Sequence, residues 1–144
     1  MNTPGSSNGF PLKGNKKIEA FLVSLLGETE FEGQNGQWEF YYAGVYLLIL
    51  TDERHNRMRI IAPILNKTDL ELLQKEDLFK ILEVNFALAL DAKYTIWRKE
   101  LWSCFVHPMN SLSQDHFNSG VSQVANLVNN YGSTYSSSNL RFNS

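Results

Sequence analysis

Apolar residues recur at helical spacing in three stretches of the chain and at strand spacing in five others. Ile18, Phe21, Leu22, Leu25 and Leu26 follow the i, i+3, i+4, i+7, i+8 pattern, which predicts a helix with Asn15 as N-cap and Gly27 as a left-handed stop. Three runs rich in β-branched and aromatic residues follow, Gln37 to Tyr42, Val45 to Thr51 and Met58 to Ile64, and each reads as a strand. Ala43-Gly44 is a two-residue hairpin turn, and Asp52 to Arg57 is the polar loop of a second hairpin. Thr68 and Glu71 have capping-box spacing. They open a helical region in which Leu78, Ile81, Leu82, Phe86 and Ala89 recur at helical intervals up to about Leu90. Lys93 to Arg98 and Leu101 to His107 predict another hairpin, around Lys99-Glu100 and closed by Pro108, which cannot donate to a ladder. Ser113 can cap a last helix with Phe117, Val121, Val124, Val128 and Tyr131 on its buried stripe. The predicted order is α-β-β-β-α-β-β-α, an α+β domain.

Two-residue turns fix register, and register assigns faces. Tyr42 should oppose Val45, Phe40 Leu47 and Trp38 Ile49, an apolar face that belongs under helices. In the second hairpin Trp97 should face Trp102 on the same inward side, with Cys104 and Val106. Tyr94, Ile96, Arg98, Ser103, Phe105 and His107 would then point outward. The outer face, carrying Glu39, Tyr41, Tyr46, Leu48 and Leu50, keeps more apolar groups than an antiparallel sheet usually turns to water. That excess predicts a surface for a partner or for self-association, formed by Tyr41, Tyr46, Leu48, Ile61, Tyr94, Ile96 and Phe105.

At 144 residues and 43% hydrophobic content the chain can bury one core without disulfides or a structural metal. Residues 1–14 and 132–144, with their Gly, Pro, Ser and Asn, are expected to be mobile segments flanking a single domain over 15–131. The lone Cys104 suits a reducing compartment, no secretory h-region is visible near Met1, and Val45 to Leu50 falls far short of the roughly 20 apolar residues that span a bilayer. The expected location is the cytoplasm. A net charge of −2 offers phosphate backbones no general attraction, so neither nucleic acid nor membrane is an expected partner.

The candidate chemistry is sparse. His55, His107 and His116 show no His-x-x-x-His or Cys-x-x-Cys spacing, so no metal is expected. Cys104 and His107 are three apart on a strand, point to opposite faces and cannot act as nucleophile and base. Glu28 with Glu30 and Glu76 with Asp77 read as solvated pairs in polar connections. Gly33, Gly36 and Gly44 lack the helix that a phosphate loop requires. Asn85, the polar residue of the central helix, reads as a hydrogen-bond partner for the backbone of a neighbouring connection. No catalytic residue and no cofactor are predicted.

The segment Ile81-Leu82-Glu83-Val84-Asn85-Phe86 resembles the Leu-Leu-x-x-Asn helix segment of the type III secretion chaperone-like superfamily, in particular the YbjN family and the class I secretion chaperones. The strand Arg59 to Ile64 before it and the hairpin Tyr94 to Val106 after it occupy the corresponding places. The resemblance implies a strongly curved antiparallel sheet with helices packed on one face, a homodimer and a non-catalytic role. Class I secretion chaperones hold an unfolded stretch of an effector against apolar patches, whereas YbjN-like proteins are described as signalling regulators. The expected function is thus a protein-binding module, chaperone-like or regulatory, with a protein or peptide partner; a structural homodimer without peptide capture and a small enzyme are the alternatives.

Overall fold

Helix α1 (Gly14–Leu26) buries Ile18 and Leu22 completely, as its apolar period requires. In the computed structural model, which describes residues 12–138, this helix leads into one antiparallel sheet. Its strands are β1 (Phe31–Gln34), β2 (Gln37–Tyr42), β3 (Val45–Asp52), β4 (Arg57–Leu65), β5 (Lys93–Trp97) and β6 (Glu100–Pro108). Their spatial order is β1-β2-β3-β4-β6-β5. Helices α2 (Lys67–Glu71) and α3 (Lys75–Ala87) connect β4 to β5, and α4 (Gln114–Asn130) follows β6. The architecture is the α+β arrangement read from the sequence, extended by the short strand β1 and with the predicted central helical region divided into α2 and α3.

Several local readings need correction. Lys13, not Asn15, stands at the N-cap of α1, while the Asn15 carboxamide oxygen accepts from Thr51 Oγ1 at 2.7 Å. Gly27 ends that helix at φ 105, ψ 158 and not in the left-handed helical region. The cap of α2 is Asn66, whose side chain accepts from the Asp69 N–H, so Thr68 and Glu71 form no capping box there. Ser113 caps α4 as predicted, accepting from the His116 N–H at 3.0 Å.

All three two-residue hairpins have positive φ at both turn residues, the geometry that matches strand twist. They are Asn35-Gly36 (56° and 89°), Ala43-Gly44 (53° and 76°) and Arg98-Lys99 (53° and 62°). The last turn lies one residue earlier than the sequence reading placed it, pairing Trp97 with Glu100 and Thr95 with Trp102. That moves each partner by two positions and leaves the alternation of faces unchanged.

Helix α4 lies against the sheet with Phe117, Val121, Val124, Ala125 and Leu127 buried. Phe21 of α1 meets Phe117 at 5.4 Å between ring centroids. The first hairpin obeys the predicted faces, with Trp38, Phe40, Leu47 and Ile49 in the core. The second is inverted. Tyr94, Leu101, Ser103 and Phe105 are buried, and Tyr94 donates its hydroxyl to the Leu127 carbonyl at 2.9 Å. Trp97 is 41% exposed, and Trp102 and Cys104 share its face, as the alternation about the Trp97–Glu100 and Thr95–Trp102 pairs requires. Phe105 turns inward against α4 at Gly120, where a Cβ would lie 2.7 Å from its ring, so the bare glycine makes the room that the ring fills.

Residues 132–138, set apart from the domain by composition, make contacts with it. Tyr135 places its ring edge-on to Tyr94 and Tyr131, Ser137 Oγ accepts from the Leu90 N–H at 2.7 Å, and Asn126 and Asn130 donate to the carbonyls of Ser137 and Ser136. One aromatic ring and these bonds anchor a stretch whose serines alone argued against order. The readings for residues 1–11 and 139–144 lie outside the described residues.

Two substitutions of opposite sign test this packing by denaturant midpoint. Gly120→Ala should lose about 1–3 kcal/mol by overpacking, in spite of alanine's helix propensity. Ser103→Ala should hold or gain on the order of 1 kcal/mol, since the buried Ser103 hydroxyl has no hydrogen-bond partner among the described residues.

Candidate interaction surfaces

The side of the sheet opposite α4 carries Tyr41, Tyr46, Leu48, Leu50, Arg59, Ile61, Trp97, Trp102, Cys104 and Val106, as the strand registers require. Of the seven residues predicted for the partner face, Tyr41, Tyr46, Leu48 and Ile61 are on it. Ile61 is nearly buried by its neighbours, and Tyr41 is 70% exposed. Ile96 pairs with Leu101 and by alternation shares the Tyr94 side of β5, contrary to the prediction; at the sheet edge it is 56% exposed and borders a concavity formed mainly by outer-face residues. Tyr94 and Phe105 do not belong there, because the inversion of the second hairpin puts them under α4 and brings in Trp97, Trp102 and Val106 instead. The apolar character of the outer face therefore survives with different residues.

Leu50, Ile61, Ile96, Trp97, Trp102 and Arg59 enclose that concavity, of about 320 Å³, together with Thr95 and Cys104. The two indoles meet edge-to-face at 5.4 Å, and the Trp102 N–H donates to the Trp97 carbonyl. At the other end of the face the Tyr46 hydroxyl donates to Glu39 at 3.0 Å, and burial together with that carboxylate pushes the Tyr46 phenol up. Glu39 stands directly across from Glu32.

A second apolar surface escaped the sequence reading. On α3, Ile81 and Val84 are buried, but Phe79, Leu82 and Phe86 are exposed, Phe86 at 92%. Leu72 before the helix and Leu88 and Leu90 after it are exposed too. Leu82 and Phe86 belong to the helical recurrence read from the sequence, which does not say which of its members the core takes. Apolar residues on more than one side of a helix signal two contact surfaces, and Phe79 between Leu78 and Lys80 carried that signal.

Asn85 acts as predicted. Its amide donates to the Tyr94 carbonyl at 3.0 Å and accepts from the Tyr94 N–H at 2.8 Å, matching at the edge of β5 what a neighbouring strand would offer. Lys93 Nζ donates to the carbonyls of Asn85 and Ala89 at the end of α3.

The titratable groups do not converge. Burial pushes the Cys104 thiol up, offset in part by Arg59, which disfavours the reactive thiolate. Cys104 and His107 lie on opposite faces, as alternation demands. His107 stacks on Phe105 and meets His116 at 5.3 Å, a pair that sequence spacing did not reveal, and its Nδ1 lies 2.8 Å from the Pro108 carbonyl. Among the described residues no three His, Cys, Asp or Glu side chains come together to hold a metal ion. None of the described helices is long and apolar enough to cross a membrane.

Neither a protein-family model nor a curated protein matches the sequence. Solved structures do match. The HopA1–SchA chaperone–effector complex superposes with a TM-score of 0.59 at 14% identity, over 79% of this chain and 88% of the other. The ExsC–ExsE complex gives 0.61 at 9% identity, over 81% and 92%. The Yersinia pestis type III secretion chaperone SycH, in complex with a fragment of YscM2, gives 0.57 at 16% identity, over 79% and 95%. The chain has the type III secretion chaperone fold. At such identities the likeness fixes the chaperone fold alone, and roles on this chain rest on its own residues.

One property of this chaperone fold is open to titration. Burial, reinforced by the phenols of Tyr135 and Tyr131, pushes the Tyr94 phenol well above the ordinary tyrosine range. The folded state thus keeps a proton that the unfolded chain releases above pH about 10, and stability should fall as pH rises beyond that point. Tyr94→Phe should make the decline shallower while costing about 1 kcal/mol near neutrality for the lost bond to Leu127. Chemical unfolding from neutral to strongly alkaline pH measures both; parallel curves for the two proteins would refute the assignment.

Proposed function

We propose that the protein is a non-catalytic, chaperone-like binding module of the cytoplasm that holds a segment of another protein on the outer face of its sheet. The observation that carries this reading is the open face with an indole-lined concavity, on the side of the sheet away from α4. Exposed apolar surface rimmed by polar groups marks interaction sites in proteins that otherwise bury such residues. The lone thiol fits a reducing compartment, and the shared fold of chaperones seen in complex with protein partners supports a protein ligand.

The unit that does this is a homodimer joined through α3. Phe79, Leu82 and Phe86 repeat at i, i+3 and i+7, the spacing of a helix seam. With Leu72, Leu88 and Leu90, and about 100 Å² removed per side chain on average, two copies would bury on the order of 1,200 Å², the lower bound of a specific interface. Placing the dimer on α3 leaves the outer sheet face free for a partner. The competing reading is a signalling regulator of the YbjN kind, a structural homodimer that consumes the sheet face and captures no peptide.

A photo-crosslinking residue at Leu48, compared with one at Glu28 outside the face, should label a defined stretch of a partner in lysate of the native cell; equal labelling at both positions would remove the sheet-face reading. Light scattering at micromolar concentration should give twice the chain mass. Leu82→Asp with Phe86→Asp should halve it while leaving the circular dichroism unchanged. A wild type of single-chain mass refutes the dimer, and halving by Ile61→Asp alone supports the regulator.

A further inference from the structure

The outer face is electrically lopsided. Glu32 and Glu39 occupy its β1–β2 end. At the other end the concavity between β3, β4, β5 and β6 has one charged lining residue, Arg59. The ion pair found among the described residues is His55–Asp52, so Arg59 is not committed to a carboxylate. Asp52, whose carboxyl is held below its ordinary range by the His55 hydrogen bond and in small part by Arg59, is already engaged at 2.7 Å. The neighbouring cations are committed elsewhere: Arg57 donates to the carbonyls of His55 and Asn56, and Lys93 to the end of α3. Arg98 lies 4.3 Å from the Trp97 ring centroid, over the same concavity wall. Glu100, across from Trp97, does not line the concavity and forms no ion pair with either guanidinium.

The turn that presents Arg98 adds an independent observation. Arg98 and Lys99 both take positive φ, in a turn type that favours Asn-Gly. Of the three two-residue turns this one alone lacks glycine. Backbone strain retained at a defined place argues that the side chains there serve a purpose.

Resting on the binding role proposed above, we infer that this corner of the sheet reads an acidic-apolar segment: one aromatic or branched side chain enters the concavity while carboxylates beside it pair with Arg59 and Arg98. A guanidinium offers a planar fork that matches a carboxylate, and the surrounding indoles and aliphatic groups lower the local dielectric and strengthen the attraction. A volume near 320 Å³ sits at the small end of ligand sites, suited to a side-chain anchor and not to a large cofactor. The partner's segment would lie with its acidic part over β4, β6 and β5, and any basic part toward Glu39 and Glu32.

The test uses three labelled peptides of one pattern, Gly-Gly-X-Leu-Phe-X-Gly-Gly with X as Asp, Asn or Lys, on the full chain. Fluorescence anisotropy gives affinity, and the rate at which maleimide modifies Cys104, the single thiol of the sequence, reports occupancy of the concavity. The Asp peptide should bind about tenfold or more tighter than the Asn peptide and the Lys peptide weakest, with the differences shrinking in high salt. All bound peptides should slow Cys104 modification. Arg59→Gln should cut the Asp peptide's advantage over the Asn peptide by about threefold or more, and adding Arg98→Asn with Lys99→Gly should abolish it. The pair Arg98→Asn with Lys99→Gly should weaken the preference while raising the melting temperature, which separates charge loss from misfolding. Equal binding of all three with Cys104 protected overturns the charge reading and leaves the protein-binding role intact. A charge preference unchanged by Arg59→Gln, or one that survives removal of both guanidinium groups, also overturns it. If no peptide slows Cys104 modification, both the anchor and the use of this face for segment capture are wrong.

Discussion

Helix α4 can reach the sheet only because Gly120 brings no side chain to the ring of Phe105. Much of the molecule's layout follows from that contact. With α4 held close to β6, Phe105 fills the room that Gly120 leaves, and Leu101 and Ser103 turn inward with it. Alternation then forces Trp102, Cys104 and Val106 to the opposite side, and pairing with β5 sends Trp97 after them. A packing constraint on one face thus composes the other, and the indole-lined concavity is its result. Tyr94, turned inward by the same logic, finds a helix carbonyl for its hydroxyl and a place for Tyr131 and Tyr135 around its ring.

Most of the architecture was legible in the sequence because its elements are strongly periodic. The first hairpin could be assigned residue by residue, since Ala43-Gly44 fixes the register and one face is uniformly apolar. The second hairpin defeated the same method for an identifiable reason. Both of its faces are apolar, so period alone does not choose between them. The deciding information sat in another element, at Gly120, where sequence pattern alone does not reveal what the missing side chain makes room for. Strand β1 was missed although Asn35-Gly36 is a strong hairpin signal, because Phe31 to Gln34 is short and polar. On α3, apolar recurrence at helical intervals was legible, but period alone does not say which of those residues the core takes.

The candidate site shows the same division. Tyr41, Tyr46, Leu48 and Ile61 were readable from the first hairpin and its neighbour β4, whereas Trp97 and Trp102 came to the face only through the inversion. Asn85 was read correctly because a polar residue with a short, forked amide in a half-buried helix has few other ways to satisfy itself. The isolation of the titratable groups also follows from spacing, while the approach of His107 to His116 is a tertiary event.

The amide of Asn85 has a consequence for assembly. A sheet with two bare edges can extend in both directions, and identical copies can then stack without limit. Here β5 meets a side chain that occupies the Tyr94 hydrogen-bonding positions, while β1 has a strand on one side only. Between copies of this chain the open edge is therefore β1 alone, and a β1–β1 pair, once formed, presents only β5 at its two outer edges. A single side chain makes the sheet a terminator and not a link in a chain, which suits a protein whose exposed apolar surfaces would otherwise invite open-ended aggregation.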